Sequence, residues 1–166
     1  LCFDEMIYFD VGANWGYFTL VVASACDPDR IGCFEPEEEN VDILSENARI
    51  NGINIDLVQK AASDQTSKSA SWEHDENLEE PSLGTSEDGD TSTESIRLDE
   101  YVKHARLESI DLLKVDVEGA EGLVLDGLGT ELDRVNGIAV EIHTEAMKSY
   151  GHTARGLLEK LLTEGF

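Results

Sequence analysis

Basic residues are scarce in this chain of 166 residues, which contains 12 Lys and Arg against 36 Asp and Glu and carries a formal net charge of -24 at pH 7. A nucleic-acid partner requires a clustered basic face, and the sequence contains no such cluster. The sequence therefore argues against nucleic acid as a partner. Because the acids are spread along the whole chain, we interpret them as adaptation to a salt-rich cytoplasm rather than as a surface for one cationic partner.

Cysteines and long apolar runs are also few. Cys2, Cys26 and Cys33 are odd in number and form no C-x-x-C pair, so neither a disulfide framework nor a zinc site is indicated, and we expect reduced, buried thiols. The sequence shows no signal peptide and no apolar run long enough to span a bilayer, which favours a cytoplasmic protein without a membrane partner. With 40% apolar residues, positions 1–166 predict a single globular domain.

The chain is organised around residues 6–20, which read MIYFDVGANWGYFTL. An apolar run predicts a buried parallel strand that ends in Asp10, and a turn shaped by Gly12, Asn14 and Gly16 precedes a helix. In open α/β sheets, ligands bind where a strand's carboxyl end meets the next helix. An acid in this turn argues against a phosphate and favours a guest with a cation or hydroxyls, such as S-adenosylmethionine (SAM). The alternative is that the glycines only permit a tight turn.

A second strand pattern, RIGCFE at residues 30–35, also ends in an acid, and Pro36 begins the helix after it. Dinucleotide-binding folds place an acid about 20 residues beyond their glycine turn to bind ribose hydroxyls, and Glu35 suits that role. The turn at 12–16 lacks the G-x-G-x-x-G spacing that brings the backbone against a pyrophosphate. A nucleotide-binding oxidoreductase is therefore the weaker alternative.

Three further apolar stretches predict strands at residues 55–62, 110–117 and 137–143. The alternation of strand and helix patterns predicts an α/β fold with a mainly parallel sheet and helices on both faces. Residues 68–72 could form a short strand. Residues 73–95, which are acidic and rich in Ser, Thr and Gly, predict a flexible loop within the domain.

Taken in their order along the chain, these motifs resemble those of the FkbM-type family of class I SAM-dependent methyltransferases. The matching segments are FDVGANWGYFTL, FEPEEENVDILSENARINGI, RLDEYV, LLKVDVEGAE and a strand ending in EIH. The resemblance implies a Rossmann-like sheet of seven strands whose last two form an antiparallel hairpin. The chain stops at Phe166, directly after the helix that would precede this hairpin, so we expect the hairpin strands to be missing and the domain to be truncated. An exposed sheet edge could then favour a dimer.

The resemblance also implies a cofactor site. Asp10, Gly12 and Gly16 would surround the methionine end of SAM, Glu35 would bind the ribose, and Asp116 would face the methyl donor. The residues after the third strand would flank the adenine. The positions expected to bind SAM are Asp10, Gly12, Asn14, Gly16, Glu35, Pro36, Ala61, Ala62, Ser63 and Asp116.

The catalytic candidates are His143, Asp116 and Glu118. The expected reaction is O-methylation of a small-molecule or sugar hydroxyl, which requires a base to take the hydroxyl proton. His143 at the end of the fifth strand is the best-placed base, although it could instead only hydrogen-bond a loop. These side chains, with Glu121 and Glu141, could also surround a divalent ion, but Glu118 and Glu121 could equally cap a helix, so no metal ligand is assigned.

The absence of an N/D-P-P-Y signature after the fourth strand argues against methylation of adenine in DNA. A non-catalytic module that keeps the SAM-binding fold is a further alternative to the enzyme.

Overall fold

A computed structural model of the protein describes residues 6–73, 82–84 and 92–166. In chain order the described strands are β1 (Ile7–Val11), β2 (Arg30–Phe34), β3 (Asp56–Val58), β4 (Ala61–Ala62), β5 (Ser67–Glu73), β6 (Ser82–Gly84), β7 (Ser92–Ile96), β8 (Leu112–Val115) and β9 (Ile138–Val140). The α-helices are α1 (Tyr17–Cys26), α2 (Glu38–Asn51), α3 (Leu98–Ala105), α4 (Glu121–Leu128) and α5 (Ala154–Glu164). Short 3₁₀ helices cover Gly129–Arg134 and Ala146–Tyr150.

The main sheet has five strands in the order β3-β2-β1-β8-β9, and all its pairings are parallel. Strand order reverses between β1 and β8, because the chain builds outward through β2 and β3 and then returns to the other side of β1. Such a switch point leaves a crevice at the carboxyl ends of the strands. Asp10 lies there, in register with Cys33 on one side and Lys114 on the other. The predicted parallel α/β sheet is confirmed.

A second, four-stranded sheet has the order β4-β7-β5-β6. It includes the tail of the predicted strand 55–62, which breaks between β3 and β4. The short strand expected at 68–72 is confirmed as β5, whereas the loop expected at 73–95 contains β6 and most of β7, so that interpretation is wrong there. Its residues 74–81 and 85–91 lie outside the described residues.

The core lies on both faces of the main sheet. On one face, the rings of Phe9, Phe34 and Tyr101 pack with centroids 5.0–5.6 Å apart. These contacts hold α3 against β1 and β2. Cys33 is a free, buried thiol as expected, but Cys26 is disulfide-bonded, so the expectation that all three thiols are reduced is wrong. Within the described ranges, no helix is both long and apolar enough to cross a membrane.

Candidate active site

An open cleft lies at the carboxyl edge of the main sheet. It is bounded by the turns after β1, β2 and β8 and by the start of β4. Its lining residues are Gly12, Asn14, Phe34, Glu35, Pro36, Glu37, Asn40, Ala61, Ala62, Asp116, Val117, Glu118 and Ala120.

The turn after β1 requires glycine at position 12. Gly12 has φ of +74°, and its N–H donates to the Phe34 carbonyl over 2.9 Å. A Cβ at this position would lie 1.7 Å from the Asp116 carbonyl oxygen. The missing side chain therefore lets the β1 and β8 turns touch, which brings one wall of the cleft against the other.

Asp10 lies beneath the cleft rather than in its lining. Its side chain is 0% exposed, and Oδ2 accepts a hydrogen bond of 2.7 Å from the Thr19 hydroxyl. Oδ1 has no hydrogen-bond partner, but the Lys114 ammonium lies 3.2 Å away and compensates its charge. Burial and the Asp10 charge raise the pKa of Tyr8, so this phenol stays protonated. Asp10 thus supports the turn from within the protein.

Lys114 joins the two turns electrostatically. Its Nζ lies 2.7 Å from the Gly12 carbonyl oxygen and 3.4 Å from Oδ2 of Asp116, in addition to its pair with Asp10. The ring of Phe18 covers the ammonium at 5.3 Å. The Lys114 ammonium therefore pairs with two carboxylates, that of Asp116 in the cleft lining and that of Asp10 beneath it.

Glu35 is held in place at the cleft wall by backbone amides. Its Oε2 accepts the Asn14 N–H over 2.8 Å, and its Oε1 accepts the Glu37 N–H over 3.0 Å and the Asn40 amide over 3.3 Å. The residue is 5% exposed, and burial raises the pKa of the carboxyl, while these hydrogen bonds act in the opposite direction. With one donor on Oε2, a lone pair of this oxygen remains for a ligand hydroxyl.

His143 follows β9 and sits between carboxylates. Its Nδ1 lies 2.6 Å from Oε1 of Glu121, and its Nε2 lies 3.2 Å from Oε2 of Glu118. Burial lowers the pKa of this histidine, but the Glu121 hydrogen bond and the charges of Glu118, Glu121 and Asp116 outweigh burial and raise it. These carboxylates therefore make the imidazole a stronger base than free histidine.

The same side chains could bind a metal ion. Ligand atoms of Asp116, Glu118 and His143 lie within 4.8 Å of one another, and two carboxylates with one imidazole suit a divalent cation.

Most of the expected SAM-binding positions meet at the cleft. Those that line it are Gly12, Asn14, Glu35, Pro36, Ala61, Ala62 and Asp116, together with the catalytic candidate Glu118. Asp10, Gly16, Ser63 and His143 are not among the lining residues. Gly16 shapes the turn with φ of +85°, and Ser63, which directly follows the lining residue Ala62, is buried.

Sequence reasoning gave no role to Asn40 or Lys114 and left Glu121 between two roles. Strand alternation places Lys114 on the same side as Asp116, and this pattern could have indicated that the two side chains pair. Asn40 lies on α2, and nothing in the local sequence indicates that it reaches Glu35.

Comparison with protein families places residues 10–164 in the Methyltransferase FkbM domain model. Hexuronic acid methyltransferase AglP of Haloferax volcanii is 30% identical over 141 residues, which cover 84% of this chain and 57% of that protein. The 2-O-methyltransferase NoeI of Sinorhizobium fredii is 26% identical over 174 residues, covering 95% of this chain and 71% of that protein. The chain thus spans little more than half the length of the first relative.

Solved structures agree in fold. The crystal structure of methyltransferase FkbM from Methylobacillus flagellatus matches 99% of this chain and 38% of that chain, with a TM-score of 0.67 and 17% identity. An rRNA methylase from Streptococcus thermophilus matches 89% of this chain and 69% of that chain, with a TM-score of 0.51 and 19% identity. At these identities the likeness concerns the fold alone.

Proposed function

Because this chain belongs to the methyltransferase FkbM domain family, we propose that it is a SAM-dependent methyltransferase that transfers a methyl group to a hydroxyl of a small molecule or sugar. The single observation that carries the proposal is the placement of Glu35. This buried carboxylate faces the same cleft as Asp116, and the two end neighbouring parts of the sheet on either side of β1.

The residues of the cleft fit SAM by their chemistry. Glu35 provides a fixed carboxylate acceptor for ribose hydroxyls, and the amide side chain of Asn40 lies beside it. Ala61 and Ala62 give an apolar wall suited to an adenine ring, and Asp116 provides a negative charge for an ammonium or sulfonium. Asp10 and Gly16 contribute by shaping the turn, and Ser63 by supporting the wall.

The sugar or small-molecule acceptor rests on the relatives. One is named a hexuronic acid methyltransferase and another a 2-O-methyltransferase, so both names indicate methyl transfer and the first indicates an acidic sugar. Both names share only methyl transfer; we propose a sugar-type hydroxyl as the acceptor by combining the sugar of the first name with the oxygen of the second.

SAM, when bound, supplies an activated methyl group on a sulfonium. The protein then has to align the acceptor oxygen with that methyl group and to remove the hydroxyl proton. Asp116 and Glu118 line the cleft and orient the acceptor through hydrogen bonds to its hydroxyls. His143, whose Nε2 faces Glu118, takes the proton at this nitrogen. The neighbouring carboxylates stabilise the imidazolium that results.

Calorimetric titration in concentrated KCl tests the cofactor. We expect SAM and its demethylated product to bind one site per chain, and NAD to give no heat of binding. Binding of NAD without SAM would instead indicate the oxidoreductase, and binding of neither ligand to the full-length protein would indicate a non-catalytic module. Incubation of the same protein with labelled SAM and a panel of uronic acids and neutral sugars then tests the acceptor.

The setting of the protein is also part of the proposal. We propose that it works in a salt-rich cytoplasm, because a net charge of -24 requires screening to permit compact folding. β3 and β9 are the edge strands of the main sheet, and we propose that one of them pairs between two copies to form a dimer. Sedimentation at high salt measures the oligomeric state.

A further inference from the structure

We propose that Trp15 is a positioning residue that orients the side-chain amide of Asn40, so that Asn40 donates and Glu35 accepts hydrogen bonds at the ribose hydroxyls of SAM. This inference rests on the proposed methyltransferase function. Trp15 is exposed and is not among the residues that line the cleft, so it acts on the ligand through Asn40.

Trp15 lies in the turn between β1 and α1 and contacts α2 at two points. Its indole Nε1–H donates to Oδ1 of Asn40 over 2.8 Å. Its carbonyl oxygen accepts a hydrogen bond of 2.8 Å from the side-chain amide of Asn47. Asn40 and Asn47 are about two helical turns apart on α2, so both side chains leave the same face of this helix. The turn and the helix are thereby joined beside the cleft.

The indole N–H determines which way the Asn40 amide faces. An indole N–H can only donate, so the atom of Asn40 that faces Trp15 is the carbonyl oxygen. The amide nitrogen then faces Glu35 and donates to its Oε1 over 3.3 Å. Since this second bond is the longer of the two, the indole is the stronger constraint on the amide.

Asn40 and Glu35 together offer what a pair of neighbouring hydroxyls requires. A carboxylate only accepts hydrogen bonds, whereas each hydroxyl both donates and accepts. Oε2 of Glu35 accepts the Asn14 N–H over 2.8 Å and has a lone pair left for one ribose hydroxyl. Asn40 lines the cleft, and the second N–H of its amide has no protein partner among the described residues, so it can donate to a hydroxyl oxygen.

Such a site selects ribose over sugars that lack one of these hydroxyls. Glu35 is 5% exposed, so its carboxylate cannot exchange a missing ligand hydroxyl for bulk water without cost. A site built to hydrogen-bond a hydroxyl rejects the analogue without it, because the polar groups of the protein are then left unpaired.

Packing does not explain a tryptophan at position 15. The residue is 58% exposed, so burial of its ring contributes little to stability. The Asn47 contact goes to the backbone carbonyl, which any residue type would provide. The contact with Asn40 is the one that uses the indole N–H. This N–H is therefore the feature that distinguishes tryptophan from other residues here.

Calorimetry with S-adenosylhomocysteine, the demethylated product, and with its 2′-deoxy and 3′-deoxy analogues tests the ribose role. Trp15→Phe removes the N–H and keeps an aromatic ring. We expect it to weaken S-adenosylhomocysteine binding about fivefold, equivalent to about 1 kcal/mol and to one neutral hydrogen bond. For at least one deoxy analogue the same substitution should change affinity less than about twofold, because the hydroxyl that Asn40 contacts is absent. An equal loss for all three ligands, or no loss for any, would overturn the proposal.

Two further variants separate the path through Asn40 from a general effect on the turn. In an Asn40→Ala background, Trp15→Phe should weaken S-adenosylhomocysteine binding no further, and additive losses would overturn the proposal. Tyr17→Phe is the matched control, because it removes a hydroxyl from a ring that is 71% exposed two positions away. We expect the control to stay within about twofold of wild type. A loss equal to that of Trp15→Phe would overturn the proposal.

Solvent exchange of the indole N–H, measured by NMR, tests the hydrogen bond without a ligand. Trp15 and Trp72 are the two tryptophans of the chain, and the Trp15 signal is the one that disappears in Trp15→Phe. We expect this N–H to exchange faster in Asn40→Ala than in wild type, and equal rates would overturn the proposal. If the wild type shows this difference but binds none of the three ligands, the proposed methyltransferase function is refuted and the ribose role falls with it.

Discussion

Replacement of Lys114 by Met should destabilise the protein strongly, because it leaves a buried carboxylate without its cation. Asp10 is 0% exposed, and the Lys114 side chain, at 11% exposure, lies 3.2 Å from its Oδ1. Removal of one member of a buried ion pair costs about 3–5 kcal/mol. Since the Thr19 hydroxyl still donates to the other oxygen of Asp10, we expect the lower end, about 3 kcal/mol.

Chemical denaturation at constant high salt measures this change as a shift in the free energy of unfolding. Lys148→Met is the matched control, because Lys148 pairs with Glu145 on the surface, where the two side chains are 60% and 85% exposed. We expect the control to cost less than about 0.5 kcal/mol. The double variant Asp10→Asn with Lys114→Met should recover part of the loss.

The result that would refute this reasoning is a similar, small loss in both lysine variants. It would mean that Asp10 is not an uncompensated charge after Lys114 is removed, and that the ion pair does not hold the two turns together. A full loss in the double variant would point instead to the packing of the Lys114 stem, since Asp10→Asn removes the charge.

Three further predictions concern the cleft. Gly12→Ala should abolish SAM binding in calorimetry and cost far more stability than Gly52→Ala, because both positions have positive φ but only at Gly12 would a Cβ meet a backbone oxygen; equal losses would refute the steric argument. Glu35→Gln should weaken SAM binding by about 1.5–3 kcal/mol, the range for hydrogen bonds to charged groups, and unchanged affinity would exclude the ribose role. The raised pKa of His143 contributes stability that is full below its ordinary value of 6.5 and is lost as pH rises through the folded-state value; the unfolding free energy of wild type relative to His143→Gln should therefore fall with rising pH, and a flat difference would contradict it.

Local sequence patterns predicted most of the main sheet. Alternating strand and helix periods predicted the parallel sheet, and the glycine turn at residues 12–16 predicted where its cleft lies. The same reasoning missed β6 and β7, which lie in a polar, acidic stretch. Polar strands without an apolar face do not show the period that sequence reasoning detects, since their pairing depends on neighbouring strands.

Part of the site was also predictable. Glu35 and Asp116 could be placed at the cleft because each follows a predicted strand, and the carboxyl ends of parallel strands meet at one edge. Asp10 satisfies the same rule, yet its side chain points away from the cleft lining and pairs with Lys114. Strand position fixes the edge at which a residue lies, whereas packing decides whether its side chain faces ligand or core.

By itself, the sequence determined the alternation of strands and helices in the main sheet, the tight turn and the excess of acid, because these depend on residue type and short spacing. Only the tertiary structure decided that Lys114 lies between Asp10 and Asp116, and that Glu121 holds His143. Lys114 on β8 contacts the turn after β1, and it lies 102 residues from Gly12 in the sequence. Glu121 and His143 are 22 residues apart. Such partners meet through the packing of the sheet and α4, which no local pattern encodes.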